Sequence, residues 1–393
     1  MAFFKLNDDS LLVSLDIGSY AVRCSVFKKS DQIPFKLLAF TEEKTQGLEE
    51  SRITDFESLS LVFSEVLSRA EELCSSSFSE VWLGFSPPFY SFRSKGMVAL
   101  SSKVVTKEDL DLAVHTACAV SLPYQHRHLH SRPEAFSVDS QSEVLNPLGL
   151  SGLRLETEVR LISAPNLYCK NLNRVLKNLG YKPKAFFHNL LAFGENLTTF
   201  EQKKNGVCFC DIGHKSARGL VYLNNKIEDM FFIPIGAYHL SQFLSSQFNL
   251  SFELAEDLKN SSAELLFNAY IQEEEPLETP QANLYISRKA FSDSLEKISE
   301  KLLEEVKLKL APKDLLNKIS SGFIFTGATA YIKGFIELAE FYLGRPACHP
   351  QQFYNNFKVT NNFALLQQAY VENKLYHSKQ NSLSKWSILR ELF

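Results

Sequence analysis

Several residue patterns that mark particular classes of protein are scarce or missing. Tryptophan and methionine are rare, at 2 and 3 of 393 residues, and the seven cysteines are scattered without a CxxC pair. The sequence therefore argues against a disulfide framework or a zinc knuckle, and a reducing cytosol fits best. No run approaches the roughly 18 apolar residues of a spanning helix. The start, MAFFKLNDDS, lacks the apolar segment of a signal peptide.

The chain also lacks an excess of either charge. Lys and Arg number 42 against 45 Asp and Glu, a net charge of −3. Because the chain is not basic overall, its charge does not predict a nucleic-acid partner. Hydrophobic residues make up 45% of the chain and phenylalanine is abundant at 32. We therefore expect a globular protein of two or three domains whose cores are packed by phenylalanine rings.

Strand and helix patterns alternate along the chain, which predicts a mixed α/β fold. One segment is repeated: LLVSLDIGS at 11–19 and GVCFCDIGH at 206–214 are both apolar strands that end in Asp-Ile-Gly. The two Asp-Ile-Gly sequences are 195 residues apart, and a second strand pattern follows each of them. We interpret the repeat as a duplicated fold with two similar lobes.

The two repeated turns have the chemistry of a phosphate site. Glycine lets backbone N–H groups approach phosphate oxygens closely, and an aspartate at the strand end can hold Mg²⁺ through water. Asp16 and Asp211 would flank the metal, and Arg23 would add a cation. The alternative is a pair of ordinary hairpins, in which aspartate is common anyway. A third turn, Gly327-Ala328-Thr329 after the apolar strand 323–326, can cover a nucleoside and favours nucleotide binding.

The order of these three turns resembles the actin-like superfamily, and other segments resemble its FtsA family of bacterial division proteins. The most specific are RPEAFSVD at 132–139 and NPLGLSGLRLE at 146–156, supported by SKGMVA at 94–99, VTKED at 105–109, IPIG at 233–236 and ISRK at 286–289. The resemblance runs from about residue 11 to 345 and resumes at the last dozen residues. Sugar kinases and Hsp70 proteins do not share the middle block.

The resemblance implies an actin-like, ribonuclease H-like duplicated fold of two lobes around an ATP cleft, with an inserted FtsA-type subdomain. The implied parts are a first lobe at 1–85 and 166–204, an insertion at 86–165, a second lobe at 205–240 and 316–372, a peripheral subdomain at 241–315, and a linker with a terminal helix at 373–393.

The resemblance also implies a function. Members of the family bind ATP with Mg²⁺, polymerise, tether FtsZ to the cytoplasmic face of the cell membrane at the division site and recruit later division proteins. The C-terminal peptide of FtsZ would be received within 241–315, near Arg288. The implied nucleotide site comprises Asp16, Gly18, Ser19, Tyr20, Arg23, Asp211, Gly213, His214, Lys215, Ser216, Gly327, Ala328 and Thr329, with Asp16 and Asp211 as the magnesium carboxylates.

The second turn departs from the glycine-rich pattern of the family. His214 and Lys215 stand where the family has glycines, Arg218 stands where it has an aspartate, and Ala328 replaces a glycine in the third turn. The two side chains can crowd the approach of a phosphate, or Lys215 can supply a compensating charge. No residue that positions a water for hydrolysis is identified, so no catalytic role is assigned.

The last twenty residues have the pattern of an interfacial helix. They carry a charge of +3, and at about 100° per residue the apolar side chains cluster on one side with two basic residues at its margin. The predicted membrane-binding residues are Leu383, Lys385, Trp386, Leu389, Arg390, Leu392 and Phe393. The alternative is a helix docked on the core of the protein.

Two alternative functions stay open: an assembly platform of the pilus-protein PilM type, and an ATP-consuming enzyme of the sugar-kinase type. His126, His128 and His130 alternate, but no neighbouring ligand supports a metal site. We interpret them as solvated or hydrogen-bonded residues in an irregular segment between Pro123 and Pro133.

Overall fold

The computed structural model describes residues 11–29, 34–49, 52–144, 146–265, 276–277 and 285–377. These residues belong to two compact units. The first unit falls within 1–17, 21–196 and 361–393, and the second comprises 18–20 and 197–360. The finer division into lobes and subdomains stays a prediction.

The strands of the described residues are β1 Leu11–Ile17, β2 Ala21–Lys28, β3 Lys36–Lys44, β4 Leu48–Glu49, β5 Arg52–Ile53, β6 Glu80–Phe85, β7 Tyr90–Ala99, β8 His126–Val138, β9 Gln141–Val144, β10 Arg154–Pro165, β11 Lys182–His188, β12 Val207–Ile212, β13 Ala217–Leu223, β14 Lys226–Ile233, β15 Phe323–Thr326 and β16 Ala347–Cys348. The helices are α1 Phe56–Cys74, α2 Lys107–Cys118, α3 Asn166–Asn178, α4 Asn189–Leu197, α5 Phe200–Asn205, α6 Ala237–Phe248, α7 Phe252–Ser262, α8 Arg288–Leu310, α9 Leu315–Lys318, α10 Phe335–Leu343 and α11 Phe357–His377.

Each unit is built on a five-stranded sheet of the same topology. The first has the order β11-β6-β1-β2-β3 and the second β16-β15-β12-β13-β14. In both, the first three strands along the chain are antiparallel neighbours, and the fourth pairs parallel with the first. The predicted duplication is confirmed, because the Asp-Ile-Gly strands β1 and β12 hold the same central position.

The inserted region forms a separate sheet within the first unit, in the order β7-β10-β8-β9. Helix α2 packs on one face of this sheet, where Gly96 leaves room: a Cβ there would lie 2.0 Å from the carbonyl oxygen of Ala113. A capping box between Thr106 and Asp109 starts α2, as their sequence spacing suggests. The close contact of helix and sheet gives the insertion its own small core.

The prediction of an irregular segment between Pro123 and Pro133 is wrong, because residues 126–138 form the long strand β8. Pro133 is tolerated there by a shift in register: Val159 of β10 faces Pro133, and Glu158 faces Ala135. The skipped residue makes a β-bulge, and a proline fits a bulge because its missing N–H breaks no regular ladder bond. His130 is buried and accepts a hydrogen bond from the backbone N–H of His188 over 3.0 Å.

Phenylalanine rings fill the cores of both units, as the composition predicts. In the first unit Phe363 of α11 packs against Phe27 and Phe35, with ring centroids 5.9 and 5.7 Å away. In the second unit the rings of Phe323 and Phe325 are stacked. Such ring pairs contribute about 0.5–1.5 kcal/mol each beyond the area that they bury.

Candidate functional site

The first Asp-Ile-Gly turn joins β1 and β2 and places Asp16 opposite Arg23 in the ladder. Asp16 is buried, and its two carboxylate oxygens have different partners. Oδ1 accepts from the amide of Asn189 at 2.7 Å, and Oδ2 faces the guanidinium of Arg23 at 3.4 Å. Arg23 also contacts Glu42 at 3.1 Å. The carboxylate predicted to face a magnesium ion is therefore held in one orientation by an amide and a cation.

Asn189 reaches Asp16 because the neighbouring strand leaves space for it. Gly84 of β6 lies opposite Asp16, and a Cβ at Gly84 would lie 2.3 Å from Oδ1 of Asn189. Asn189 begins α4 directly after β11, whose carboxyl end meets that of β1 at one edge of the sheet. Burial raises the pKa of Asp16, and the positive charge of Arg23 acts in the opposite direction. The sequence analysis did not identify Asn189.

The second turn joins β12 and β13 and repeats this register, with Asp211 opposite Arg218. The spacing of 195 residues that relates the two aspartates also relates Arg23 to Arg218, so the repeat extends further than the sequence analysis recognised. Asp211 is buried. A hydrogen bond from the N–H of Gly213 to the carbonyl of Ser216, 3.0 Å long, closes the turn.

The peptide planes of the second turn are oriented by the start of α6. The N–H groups of Ala237 and Tyr238 donate to the carbonyls of Gly213 and His214, at 3.0 and 2.8 Å. In a trans peptide the carbonyl and the following N–H point in opposite directions. The N–H groups of His214 and Lys215 therefore both point away from α6, which is the arrangement of an anion-binding nest.

The exchange of glycines for His214 and Lys215 does not strain this turn. Neither residue has a positive φ, so each keeps a backbone conformation that any side chain tolerates. The glycine that this turn does require is Gly236, which precedes α6. A Cβ at Gly236 would lie 2.5 Å from the carbonyl oxygen of Gly213, so only glycine allows α6 to pack this closely against the turn. The loss of the two glycines therefore changes the side chains around the turn and leaves its backbone nest in place.

The two side chains lie among aromatic rings of the second unit. The ammonium of Lys215 is 3.2 Å from the centroid of the Tyr238 ring. The ring of His214 lies 5.7 Å from that of Tyr238 and 5.0 Å from that of Tyr20, which belongs to the same unit. Burial lowers the pKa of His214 to about 4, so this imidazole is neutral at pH 7.

A buried ion pair supports α6 from α7. The ammonium of Lys259 donates to the carbonyl of Ala237 at 3.1 Å, to Oγ of Ser241 at 2.8 Å and to Glu256 at 2.9 Å. Burial lowers the pKa of Lys259, although Glu256 opposes this shift. No sequence pattern predicts this pair, because the i, i+3 spacing of Glu256 and Lys259 on α7 gives no sign that α6 supplies the other partners.

The third turn lies beside the second at the same edge of the sheet. Strand β15 runs parallel to β12 with Thr326 opposite Asp211. Gly327 follows with φ +93°, and a Cβ there would lie 2.1 Å from the carbonyl oxygen of Ile212. A 3₁₀ turn over Ala328–Tyr331 comes next, in which Thr329 is buried. The predicted residues of the second and third turns are thus brought together by parallel pairing of β12 and β15.

Arg288 begins α8 and pairs with Glu264 at 2.6 Å. Lys333 contacts the other oxygen of the same carboxylate. The hydrogen bonds from Lys333 and Arg288 lower the pKa of Glu264, and burial of the carboxyl opposes this shift in part. Two cations therefore share one anion at this surface.

The described residues contain no group of three or more histidine, cysteine, aspartate or glutamate side chains that would hold a metal. They also contain no helix that is long and apolar enough to cross a bilayer. The predicted membrane-binding residues 383–393 lie outside the described residues.

Comparison with known proteins finds that the chain is similar to FtsA proteins over most of its length. Residues 89–163 match the model of the SHS2 domain inserted in FtsA. The chain is 26% identical over 391 residues to the cell division protein FtsA of Buchnera aphidicola subsp. Baizongia pistaciae, covering 96% of this chain and 93% of that protein. It is also 26% identical to FtsA of Escherichia coli K12, covering 86% of this chain and 83% of that one. The resemblance to FtsA expected from the sequence is confirmed.

Solved structures confirm the actin-like fold. The PilM–PilN type IV pilus biogenesis complex superposes with a TM-score of 0.61 at 15% identity, covering 91% of this chain and 96% of that one. MreB5 of Spiroplasma citri bound to ADP superposes with a TM-score of 0.54 at 12% identity, covering 96% and 100%. At these identities the likeness concerns the fold alone.

Proposed function

We propose that this chain, which is similar to FtsA over most of its length, binds ATP with Mg²⁺ and anchors FtsZ filaments at the cytoplasmic face of the cell membrane. The observation that carries the nucleotide part is the pair of N–H groups at His214 and Lys215, both turned away from α6. Such a pair binds phosphate oxygens without needing glycine at either position. The proposal extends to self-association into filaments and to recruitment of later division proteins.

The residues present fit a magnesium–nucleotide complex. The backbone of the turns at Gly18–Tyr20 and Gly213–Ser216 would hold phosphates, with the guanidinium of Arg23 as a cation. Asp16 and Asp211 would hold Mg²⁺ through water, since Mg²⁺ keeps most of its waters in such sites. Gly327–Thr329 would cover the nucleoside. A magnesium–nucleotide complex, when bound, would supply negative charge and a divalent cation to these residues.

Calorimetric titration with MgATP tests this proposal. We expect binding by the wild type and about tenfold or greater weakening in Asp16→Asn and Asp211→Asn, because each loses a charge at the metal. Asp229→Asn is the matched control, since Asp229 lies on β14 and pairs with Lys313. No heat of binding with the wild type would remove ATP from the proposal.

We propose that the terminal helix, residues 383–393, lies in the surface of an anionic membrane. The support is its sequence pattern, an apolar side flanked by Lys385 and Arg390 on a tail of charge +3. One short helix binds weakly, so polymerisation would be needed to provide several anchors. Co-sedimentation with vesicles of acidic lipid should be lost on deletion of 382–393. Unchanged co-sedimentation, or equal binding to neutral vesicles, would contradict the membrane role.

We propose that the FtsZ C-terminal peptide binds within 241–315, near Arg288. The support is the position of two cations, Arg288 and Lys333, on the two oxygens of the Glu264 carboxylate. Fluorescence anisotropy with a labelled FtsZ C-terminal peptide should show weaker binding to Arg288→Ala than to the wild type. Lys309→Ala, exposed at the far end of the same helix, is the control. Absence of binding to the wild type would favour a platform of the PilM type.

A further inference from the structure

The side chain of Lys215 is the largest departure of the second turn from a glycine-rich loop. Its ammonium rests on the face of Tyr238, 3.2 Å from the ring centroid, and within the described residues it makes no hydrogen bond or ion pair. The residue is half-buried, so its charge is only partly solvated. Among the residues that the structure describes, a cation–π contact is what holds the ammonium in this position.

Lys259, the other lysine close to the start of α6, cannot take the same role. An ammonium group has three donors, and those of Lys259 are used by Ala237, Ser241 and Glu256. Lys259 is also buried, at 5% exposure. Of these two lysines, Lys215 is therefore the one whose ammonium still has donors available beside the nest of the second turn.

We propose that Lys215 is the phosphate-binding cation of the second turn, and that its ammonium leaves the face of Tyr238 for a phosphate oxygen when a nucleotide binds. The inference depends on the proposed binding of ATP. A hydrogen bond between an ammonium and a phosphate is stronger than a contact with a ring face, so the phosphate wins the competition. The lysine stem is flexible and pivots beside the two N–H groups of the nest.

His214 does not compete with Lys215 for the phosphate through charge. Its imidazole packs between the rings of Tyr20 and Tyr238, and it is neutral at pH 7 because of its burial. A neutral ring offers a phosphate no competing charge. The positive charge of Lys215 itself contributes to keeping His214 neutral. Where the family has two glycines, this chain therefore has one flexible cation, Lys215, and one neutral ring, His214, both packed against Tyr238.

Calorimetric titration of four variants tests the role of the charge and of its contact with Tyr238. Lys215→Met should bind MgATP about tenfold more weakly than the wild type, and Lys215→Arg should keep most of the affinity. Lys204→Met, which removes an exposed lysine of α5 in the same unit, should change nothing. Tyr238→Leu should bind MgATP at least as tightly as the wild type, because it removes only the resting contact.

A second readout follows the ammonium directly. After reductive ¹³C-methylation of lysines, the Lys215 methyl signal, assigned by its absence in Lys215→Arg, should be shifted upfield by the Tyr238 ring and should move downfield when MgATP is added. A wild type that binds no MgATP would overturn the proposed function and this inference together. Normal binding by Lys215→Met, or a Lys215 signal that ATP does not move, would overturn the inference alone.

Discussion

The two Asp-Ile-Gly turns share their topology and differ in what surrounds the aspartate. In the first, Gly84 on the neighbouring parallel strand leaves space that the amide of Asn189 fills, and Asp16 accepts a hydrogen bond from it. In the second, the position of Gly84 is taken by Thr326, and the glycine moves one residue on, to Gly327. The two copies of the duplicated backbone therefore differ at the strand position that lies opposite each aspartate.

Gly84 of the first unit and Gly327 of the second are therefore required for different reasons. Gly84 lacks a side chain, and the side chain of Asn189 occupies that space. Gly327 allows the backbone of the third turn to pack against the backbone of β12. A side chain can move aside and a backbone carbonyl in a sheet cannot, so the two glycines should respond differently to substitution.

Gly327→Ala should give the largest effect on stability, a loss of about 4 kcal/mol, because a Cβ would both clash with the backbone and force an unfavourable φ. Gly344→Ala is the control. It also has a positive φ, at +64°, but a Cβ would meet nothing within 4 Å, so it should cost only about 1 kcal/mol. Urea unfolding of both variants measures the difference, and equal costs would show that strain alone matters.

The acid response should differ between the units. Burial lowers the pKa of His130 from 6.5 to about 4. Between these values the unfolded chain binds a proton that the folded chain does not, so stability is complete above about pH 6.5 and falls by about 3 kcal/mol towards pH 4. His130→Gln should remove this loss, since its amide oxygen can still accept from His188.

His214→Gln is the counterpart in the second unit. The pKa of His214 is also lowered to about 4, but this ring is only half-buried, so its substitution should remove a smaller part of the acid loss. Urea unfolding at pH 4, 5, 6 and 7 compares the two variants with the wild type. An unchanged pH dependence in His130→Gln would contradict the assignment of the loss to this side chain.

A double-mutant cycle should detect the smallest effect, the coupling between Gly84 and Asn189. Gly84→Ala should cost about 2 kcal/mol through contact with Asn189 and Leu365, and Asn189→Ala about 1–2 kcal/mol through the lost hydrogen bond. Together they should cost less than their sum by about 0.5–1 kcal/mol, since the shorter residue 189 makes room for the new methyl group. Strict additivity would show that Asn189 does not occupy that space.

Local patterns were sufficient to predict the elements that carry the turns. Apolar runs that end in Asp-Ile-Gly marked β1 and β12, and their repeat predicted the common topology, because burial on both faces demands a nearly continuous apolar strand. Arg218 could have been found in the same way, by carrying Arg23 forward 195 residues. Strand β8 was missed because Pro133 suggests an interruption, and only pairing with β10 shows that it lies at a bulge.

Residue order and periodicity are enough to predict the class of fold, the position of each turn and the resemblance to FtsA. The side-chain contacts of those turns follow only from the tertiary structure. Asn189 meets Asp16 across 173 residues, and Lys215 meets Tyr238 because α6 closes on the second turn. Such contacts depend on which strand ends share a sheet edge and where a missing Cβ leaves room, and no local pattern encodes either condition.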